Sequence, residues 1–355
     1  SSKCTNQRDA HKVATALEAE LNGREVAEDG SFTWSRFVDL YSVEHLDGLA
    51  LKTSRVALTG FRQFERIANP RTLADISSRT LSAFVATRRT EVAADTVARE
   101  LRHLRHALGW AASHQMIAEI PKFPRVASRK SQEAKGRALI NDEFDRMIKA
   151  IPSVVEKELA PSWERLLKGL NLSGLRLEEA IALTWVADGR SPVVILTEGD
   201  RPRVSIQFPT GSQKSRKVET SPSTPDFAEF LAAIPEAERG GRVFAPASPV
   251  TGEPLTSVGR VGRIVSEIGK AAEIVVDEES GKFASAHDLR RTFATRWAVM
   301  VQPVVLKGLL RHANITTTMR YYVGIGLDQT HNVLEQAVAT LSATLPEKRR
   351  PAETT

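Results

Sequence analysis

The residues best suited to chemistry lie between His287 and Tyr322. His287 and Arg290 stand three apart in His287-Asp-Leu-Arg290. His312 precedes Tyr321 by nine residues in Leu309-Leu-Arg-His312-Ala-Asn-Ile-Thr-Thr-Thr-Met-Arg-Tyr321-Tyr322. This set is neither a metal-ligand cluster nor an ordinary serine or cysteine nucleophile with its base. Two imidazoles, a guanidinium and a phenol are what holding a phosphodiester and attacking it with a phenolic oxygen would require. Arginine presents paired donors to phosphate oxygens. A phenol, with an ordinary pKa of about 10, needs help to lose its proton at neutral pH. Taken singly, each residue has a plainer reading: an H-x-x-R pair is commonly on the surface, and a Tyr321-Tyr322 pair is commonly packing.

The elements that would position these groups can be read from periodicity. Ser285 stands where it would cap a helix carrying His287 and Arg290 on one face, with the positive helix end near a bound phosphate. Arg176 opens a helix after a glycine in Ser173-Gly-Leu-Arg-Leu-Glu-Glu179. Helical patterns cover 141–150 and 162–173, and another opens at Leu177. The period then changes, and Val193–Thr197, Val204–Phe208 and Lys217–Thr220 read as three short strands, with turns at Glu198-Gly-Asp and at 209–212. After Phe227 the pattern is helical to the end, and Thr330–Leu341 forms an amphipathic helix. The fold class expected is mainly α with a small antiparallel β-sheet.

Upstream lies a separate helical region. One short helix is expected at Ala10–Leu21, one opening at Thr33, one capped by Thr53, one near Thr80–Arg89 and one over Ala94–Ser113. The last has Val97, Leu101, Leu104, Leu108 and Ala111 on its apolar face and Arg99, Arg102, His103 and His106 in one basic stripe. Such a stripe is a solvated face or a surface lying along a DNA backbone. Arg55 and Arg105 join it as candidate contacts, as do Arg125, Arg129 and Lys130 of a linker. Residues 122–137 carry six cations against the single acid Glu133, with Pro121 and Pro124 to keep the start extended. The organisation expected is a lead-in segment at 1–30, a helical core DNA-binding domain at 31–120, a basic linker at 121–137, a catalytic domain at 138–345 and a flexible tail at 346–355.

Composition narrows the class. The chain has 355 residues, 41% hydrophobic and 26% charged, with a formal net charge of +6. That balance favours an anionic partner. The single cysteine, Cys4, excludes an internal disulfide and a multi-cysteine zinc site. No apolar run approaches a membrane span, and no membrane partner is expected. A cytoplasmic, nucleoid-associated location follows as the expectation.

Read jointly, the motifs resemble one family. The order is G-L-R-x-x-E, a lysine in a β-turn, H-D-L-R-R-T-F-A-T-R, then L-L-x-H-x-x-I-x-T-T-x-x-Y. This pattern is similar to that of the tyrosine recombinases, the phage integrase family. The likeness runs from Ala138 to about Leu345, and the helices of 33–120 resemble the family's core-binding domain.

The resemblance implies roles. Arg176 and Arg290 match the two phosphate-clamping arginines, and His312 a further donor to the phosphate. Tyr321 matches the nucleophile, with Tyr322 as its alternative. His287 matches the residue assisting proton transfer, and Glu179 an acid orienting His287 or a clamping arginine. The leaving 5′-oxygen takes its proton from a turn lysine. Aligning Lys214-Ser-Arg216 on the family's K-x-x-K-x-R pattern puts Gly211 at the lysine position, so Lys214 is the candidate acid and Lys217 its alternative. A second departure is Tyr322-Val-Gly after the nucleophile, where Tyr-Thr-His is common.

The implied activity is DNA recombination through a 3′-phosphotyrosyl intermediate, as in the integrase of a mobile element. No cofactor is expected, because the link conserves the phosphodiester's energy. The expected partners are double-stranded DNA, a homo-tetramer on two recombination sites, and accessory DNA-bending or directionality factors. The alternatives are a type IB topoisomerase-like relaxing enzyme and a non-catalytic DNA-binding protein of the same fold.

Overall fold

The structure, a computed structural model, describes residues 32–126, 136–209, 218–323, 334, 335 and 338. The chain divides into two compact units, 1–133 and 134–355. The expected helix at Ala10–Leu21 and tail at 346–355 lie outside the described residues, as does all but Leu334, Glu335 and Val338 of the helix at Thr330–Leu341.

Among the described residues the first unit has four α-helices, α1 (Trp34–Glu44), α2 (Leu51–Ala68), α3 (Ser78–Glu91) and α4 (Ala94–Ser113). The Thr33 hydroxyl caps α1 by accepting from the Arg36 amide at 3.4 Å. Ser77 caps α3 in the same way through the Thr80 amide at 3.2 Å. The expected cap Thr53 is instead inside α2, which begins at Leu51; the Thr53 amide donates to the Ala50 carbonyl at 2.7 Å. The apolar face read for α4 is buried throughout, against an aromatic core that includes Trp34, Phe37, Phe61, Phe64 and Phe84. Glu100 is buried on the same face of α4, where the Arg88 guanidinium grips both its oxygens at 2.8 and 3.0 Å. Phe123 also enters this core, so 121–126, expected as the start of the linker, packs as part of the first unit.

The second unit opens with Arg137, another residue of the expected linker. Its guanidinium donates twice to Glu143 at 2.6 Å and once to the Val275 carbonyl at 3.0 Å, so it is a structural anchor. The helices α5 (Asn141–Lys149), α6 (Ala160–Ser173) and α7 (Leu177–Ala182) precede an antiparallel sheet of β1 (Val193–Thr197), β2 (Arg203–Phe208) and β3 (Glu219–Pro222) in that spatial order. The third strand lies two residues beyond the expected Lys217–Thr220. Then come α8 (Pro225–Ala232), α9 (Val258–Ala271), β4 (Val275–Asp277), β5 (Lys282–Phe283), α10 (Ala286–Ala298), α11 (Pro303–Leu310) and α12 (Ile315–Met319). The β4–β5 hairpin corrects the all-helical reading after Phe227. Its strands are too short to show an alternating pattern, so no periodicity marked them.

Two helices carry most of the weight in positioning the site. α6 and α10 pack along each other through a core that includes Trp163, Leu166, Leu170 and Leu289. α6 ends at Gly174, in the left-handed region at φ 62°, and a Cβ there would lie 2.3 Å from the Phe293 ring of α10. Glycine therefore answers two demands, a backbone sign and a close approach. Gly189 has the first demand alone, with φ 71° and nothing within 4 Å of a Cβ. Gly189→Ala is expected to cost about 1 kcal/mol. Gly174→Ala is expected to cost roughly 3 kcal/mol or more, because strain and overpacking add. Paired thermal unfolding of the two variants checks the difference.

Candidate active site

The site is built around the end of α11. This helix stops in a tight turn with Arg311 in the left-handed region at φ 50°. The Arg311 amide donates to the Gly308 carbonyl at 3.0 Å and the His312 amide to the Lys307 carbonyl at 3.1 Å. These are the two bonds of a Schellman motif, and the left-handed position, usually glycine, holds an arginine. An L-residue there costs about 1 kcal/mol relative to glycine.

The carbonyls at this helix end, which have no partner within the helix, face the two sequence-predicted arginines. Arg290, on α10, is buried. It donates to the Leu310 carbonyl at 2.5 Å and the Gly174 carbonyl at 2.6 Å. Arg176, at the N-cap of α7, donates to the Arg311 carbonyl at 3.3 Å and to Glu179 at 2.8 Å, and its side chain remains 46% exposed. The negative end of a helix favours cations of this kind. Burial, and then the neighbouring Arg176 charge, push the Arg290 guanidinium down to about 10, which leaves it a cation at neutral pH.

Glu179 sits between two arginines. Its Oε2 accepts the Arg176 backbone amide at 2.9 Å, and its Oε1 pairs with both the Arg176 and the Arg311 guanidiniums. Burial pushes this carboxyl up, but Arg311 and the bonds from Arg176 together hold it below the ordinary carboxylate range. Of the two partners expected for Glu179, the structure gives it the clamping arginine.

His312 follows the turn. Its Nδ1 shares a hydrogen bond with the buried Thr318 hydroxyl at 3.0 Å. Burial, and after it the Arg290, Arg176 and His287 charges, push the ring down to about 4. It is therefore a neutral imidazole at physiological pH, with Nε2 as the nitrogen that Thr318 does not engage. The Tyr321 ring lies 6.4 Å from the His312 ring, nearly parallel to it. Tyr321 is also among the groups whose charge bears on Arg290. Tyr322 is placed differently: its hydroxyl donates to the Val301 carbonyl at 2.7 Å, and burial pushes it above the ordinary phenol value.

His287 lies in the first turn of α10, partly exposed. Partial desolvation and the Arg291 charge lower its pKa, against the pull of Asp288. Ser285 stands at the N-cap as expected, but its hydroxyl and amide both donate to Asp288 Oδ2, at 2.6 and 3.1 Å. Asp288 is fully buried and also pairs with Lys282 and Arg291, which fixes the start of α10. Lys214 and its alternative Lys217 lie outside the described residues.

Sequence reasoning missed Arg311, Thr318 and Asp288. A signal for Arg311 was present: an apolar helical run ends at Leu310 with no glycine to stop it.

In the first unit, Arg55, Arg99, Arg102, Arg105, His106 and Arg125 are exposed. His103 is half-buried rather than fully on the polar face. Burial lowers its pKa first, followed by the His106, Arg102 and Arg99 charges, so these four groups form one electrostatic cluster. Arg105 packs its guanidinium over the Phe123 ring at 4.7 Å. Arg129 and Lys130 lie outside the described residues. Among the described residues no helix is long and apolar enough to cross a membrane, and no group of three or more His, Cys, Asp or Glu could hold a metal ion.

With this geometry in hand, the chain was compared with known proteins. No family model matches it. The tyrosine recombinase XerD of Caulobacter vibrioides is 27% identical over 198 residues, spanning 56% of this chain and 60% of that protein. Among solved structures, a lambda integrase dimer bound to a COC′ core site aligns over 91% of this chain and 88% of its own, with 20% identity and a TM-score of 0.60. The Tn1549 transposon integrase in complex with transposon right end DNA aligns over 85% of this chain and 99% of its own, with 18% identity and a TM-score of 0.58. The chain shares the fold of these two integrases. Mainly α with a small antiparallel sheet is thus an architecture shared with these integrases, and the turn at Arg311 belongs to the second unit.

The low pKa of His312 has a consequence for folding. Its folded value, about 4, lies below the ordinary imidazole value, so the unfolded chain binds the proton first. The neutral ring's contribution to stability is complete above about pH 6.5 and declines as pH falls towards its folded value. Lowering pH from 7 to 4.5 is expected to reduce the thermal midpoint more in the wild type than in His312→Asn, measured side by side in one buffer series.

Proposed function

We propose that this protein is a site-specific DNA recombinase, the integrase of a mobile element, that cleaves and rejoins DNA through a 3′-phosphotyrosyl link. The observation that carries the reading is the gathering of Arg176, Arg290, His312 and Tyr321 at the end of one helix, with the Tyr322 hydroxyl committed to Val301. A tyrosine recombinase at 27% identity over 60% of its length, and a fold shared with a transposon integrase, support it.

The chemistry follows from the groups. The Tyr321 oxygen attacks the scissile phosphorus, forming the phosphotyrosyl bond as the bond to the 5′-oxygen breaks. Negative charge grows on the non-bridging oxygens, where Arg176 and Arg290 supply fixed cationic donors and a neutral His312 donates a further hydrogen bond. Arg290 is committed to carbonyls and buried, so it acts preorganised; Arg176 is half-exposed and can turn to the phosphate. His287 aids removal of the phenol proton, and Lys214 protonates the leaving 5′-oxygen. The 5′-hydroxyl of a partner strand then reverses the step, so no energy source enters.

The DNA is held in part by the Arg99, Arg102, His103 and His106 cluster, with Arg55, Arg105, Arg125, Arg129 and Lys130 as further backbone contacts. Assembly is a homo-tetramer on two recombination sites, a state for which a lambda integrase tetramer bound to a Holliday junction is a structural precedent at a TM-score of 0.58. Accessory DNA-bending or directionality factors and a nucleoid-associated, cytoplasmic location complete the reading.

Two experiments use a nicked duplex spanning the attachment sequence recovered from DNA flanking the gene. Tyr321→Phe is expected to give no covalent protein–DNA adduct on a denaturing gel, whereas Tyr322→Phe keeps the adduct and loses about 1 kcal/mol of stability with its hydrogen bond to Val301. Adduct from Tyr321→Phe would reject the nucleophile. Lys214→Ala is expected to slow cleavage of ordinary DNA yet spare a substrate with a 5′-thio leaving group; the same rescue in Lys217→Ala alone would transfer the role.

A further inference from the structure

The left-handed arginine at the end of α11 calls for a reason. Glycine takes a φ of 50° without strain, so a side chain tolerated there points to a use for that side chain. The Arg311 side chain is only 6% exposed. Its guanidinium pairs with Glu179 and lies over the Phe208 ring, with Cζ 3.4 Å from the ring centre. Among the described residues its Nε and Nη1 are buried without a hydrogen-bond partner. Leaving such donors unmet is costly, so the favourable contacts of this group are the pair with Glu179 and the stack on Phe208.

Glu179, in turn, is the residue that grips Arg176, through its backbone amide and through its guanidinium. A lone carboxylate between Arg176 and solvent would be free to change rotamer. Held on its far side by a buried, ring-stacked guanidinium, it has one position. We propose that Arg311 is a positioning residue of the active site: it locks Glu179, and through Glu179 it presents Arg176 to the scissile phosphate. The arrangement also sets the charge of the site, since Arg176, Arg290 and Arg311 outnumber Glu179. Arg311 itself need not touch DNA, because its two unpaired nitrogens are sealed from solvent.

The inference rests on the recombinase reading above, and its test separates the two. Arg311→Gly places at φ 50° the residue that the backbone favours, which offsets in part the lost pair with Glu179 and stack on Phe208, so the variant is expected to fold with a thermal midpoint lowered by no more than a few degrees. On the nicked attachment duplex it is expected to bind DNA within about threefold of wild type by band shift. Its rate of adduct formation at saturating DNA is expected to fall at least tenfold. The loss should shrink to less than about threefold when Arg311→Gly is added to Glu179→Gln, because the two act through one contact. The acid limb of the rate profile should also move to higher pH in Arg311→Gly, since Glu179 loses a charge that holds its carboxyl down. An unchanged rate, or full additivity with Glu179→Gln, overturns the role of Arg311 while the recombinase reading stands. A wild-type protein that forms no adduct overturns the recombinase reading and this inference with it.

Discussion

A helix that ends leaves carbonyls without partners, and the second unit is organised around one such end. Leu310 and Arg311 turn their carbonyls towards Arg290 and Arg176, which arrive from two other helices. The same turn delivers His312 in the next position and Tyr321 nine residues on. Four candidate groups, from the start of α7, from α10 and from the segments following α11 and α12, are therefore gathered at one place. The Gly174 carbonyl, at the end of α6, supplies the second anchor for Arg290. Two helix C-termini thus hold the most buried cation of the site, in the sense that the peptide dipoles favour.

Burial then sorts the groups by what each can do. Arg290 keeps its charge because guanidinium ionisation has far to fall before it matters at neutral pH. His312, subject to the same burial and to the nearby arginines, loses its charge and becomes a neutral donor. The adjacent tyrosines are separated by their surroundings rather than by their chemistry. Tyr322 is tied to Val301, while Tyr321 lies beside His312. The result is a cationic site with one neutral imidazole and the Tyr321 phenol stacked beside it, the arrangement that a phosphodiester-cleaving phenol would need.

How far the sequence carried this reading depended on the signal each feature left. The α4 helix was legible to its ends because it is long and strongly periodic, and its apolar face is the buried face. The β1 and β2 strands were legible because they are β-branched and bounded by a Glu198-Gly-Asp turn. The β4–β5 hairpin left no pattern, and Thr53 looked like a cap because the actual start of α2 lacks a capping side chain. In the site, motif spacing marked Arg176, His287, Arg290, His312 and Tyr321, and it favoured Tyr321 with Tyr322 as the alternative, but it could not show how differently the two are surrounded. That difference rests on a tertiary hydrogen bond to Val301, twenty-one residues away. Arg311 went unread for a related reason: its partners Glu179 and Phe208 are more than a hundred residues upstream, and no local pattern announces them. Arg137 was read as linker charge and proved to be an anchor on Glu143, which only folding could show.

On the proposed function, the turn ending α11 assembles one phosphate-binding site with Tyr321 as its attacking group. A crystal structure of the protein on its attachment duplex, with vanadate replacing the scissile phosphate, tests it most directly. Vanadate is expected to bridge Tyr321 Oη and the 5′-oxygen, with Arg176, Arg290 and His312 Nε2 on its equatorial oxygens and Glu179 still held by Arg311. Vanadate bound through Tyr322, or seated away from the end of α11, would contradict it.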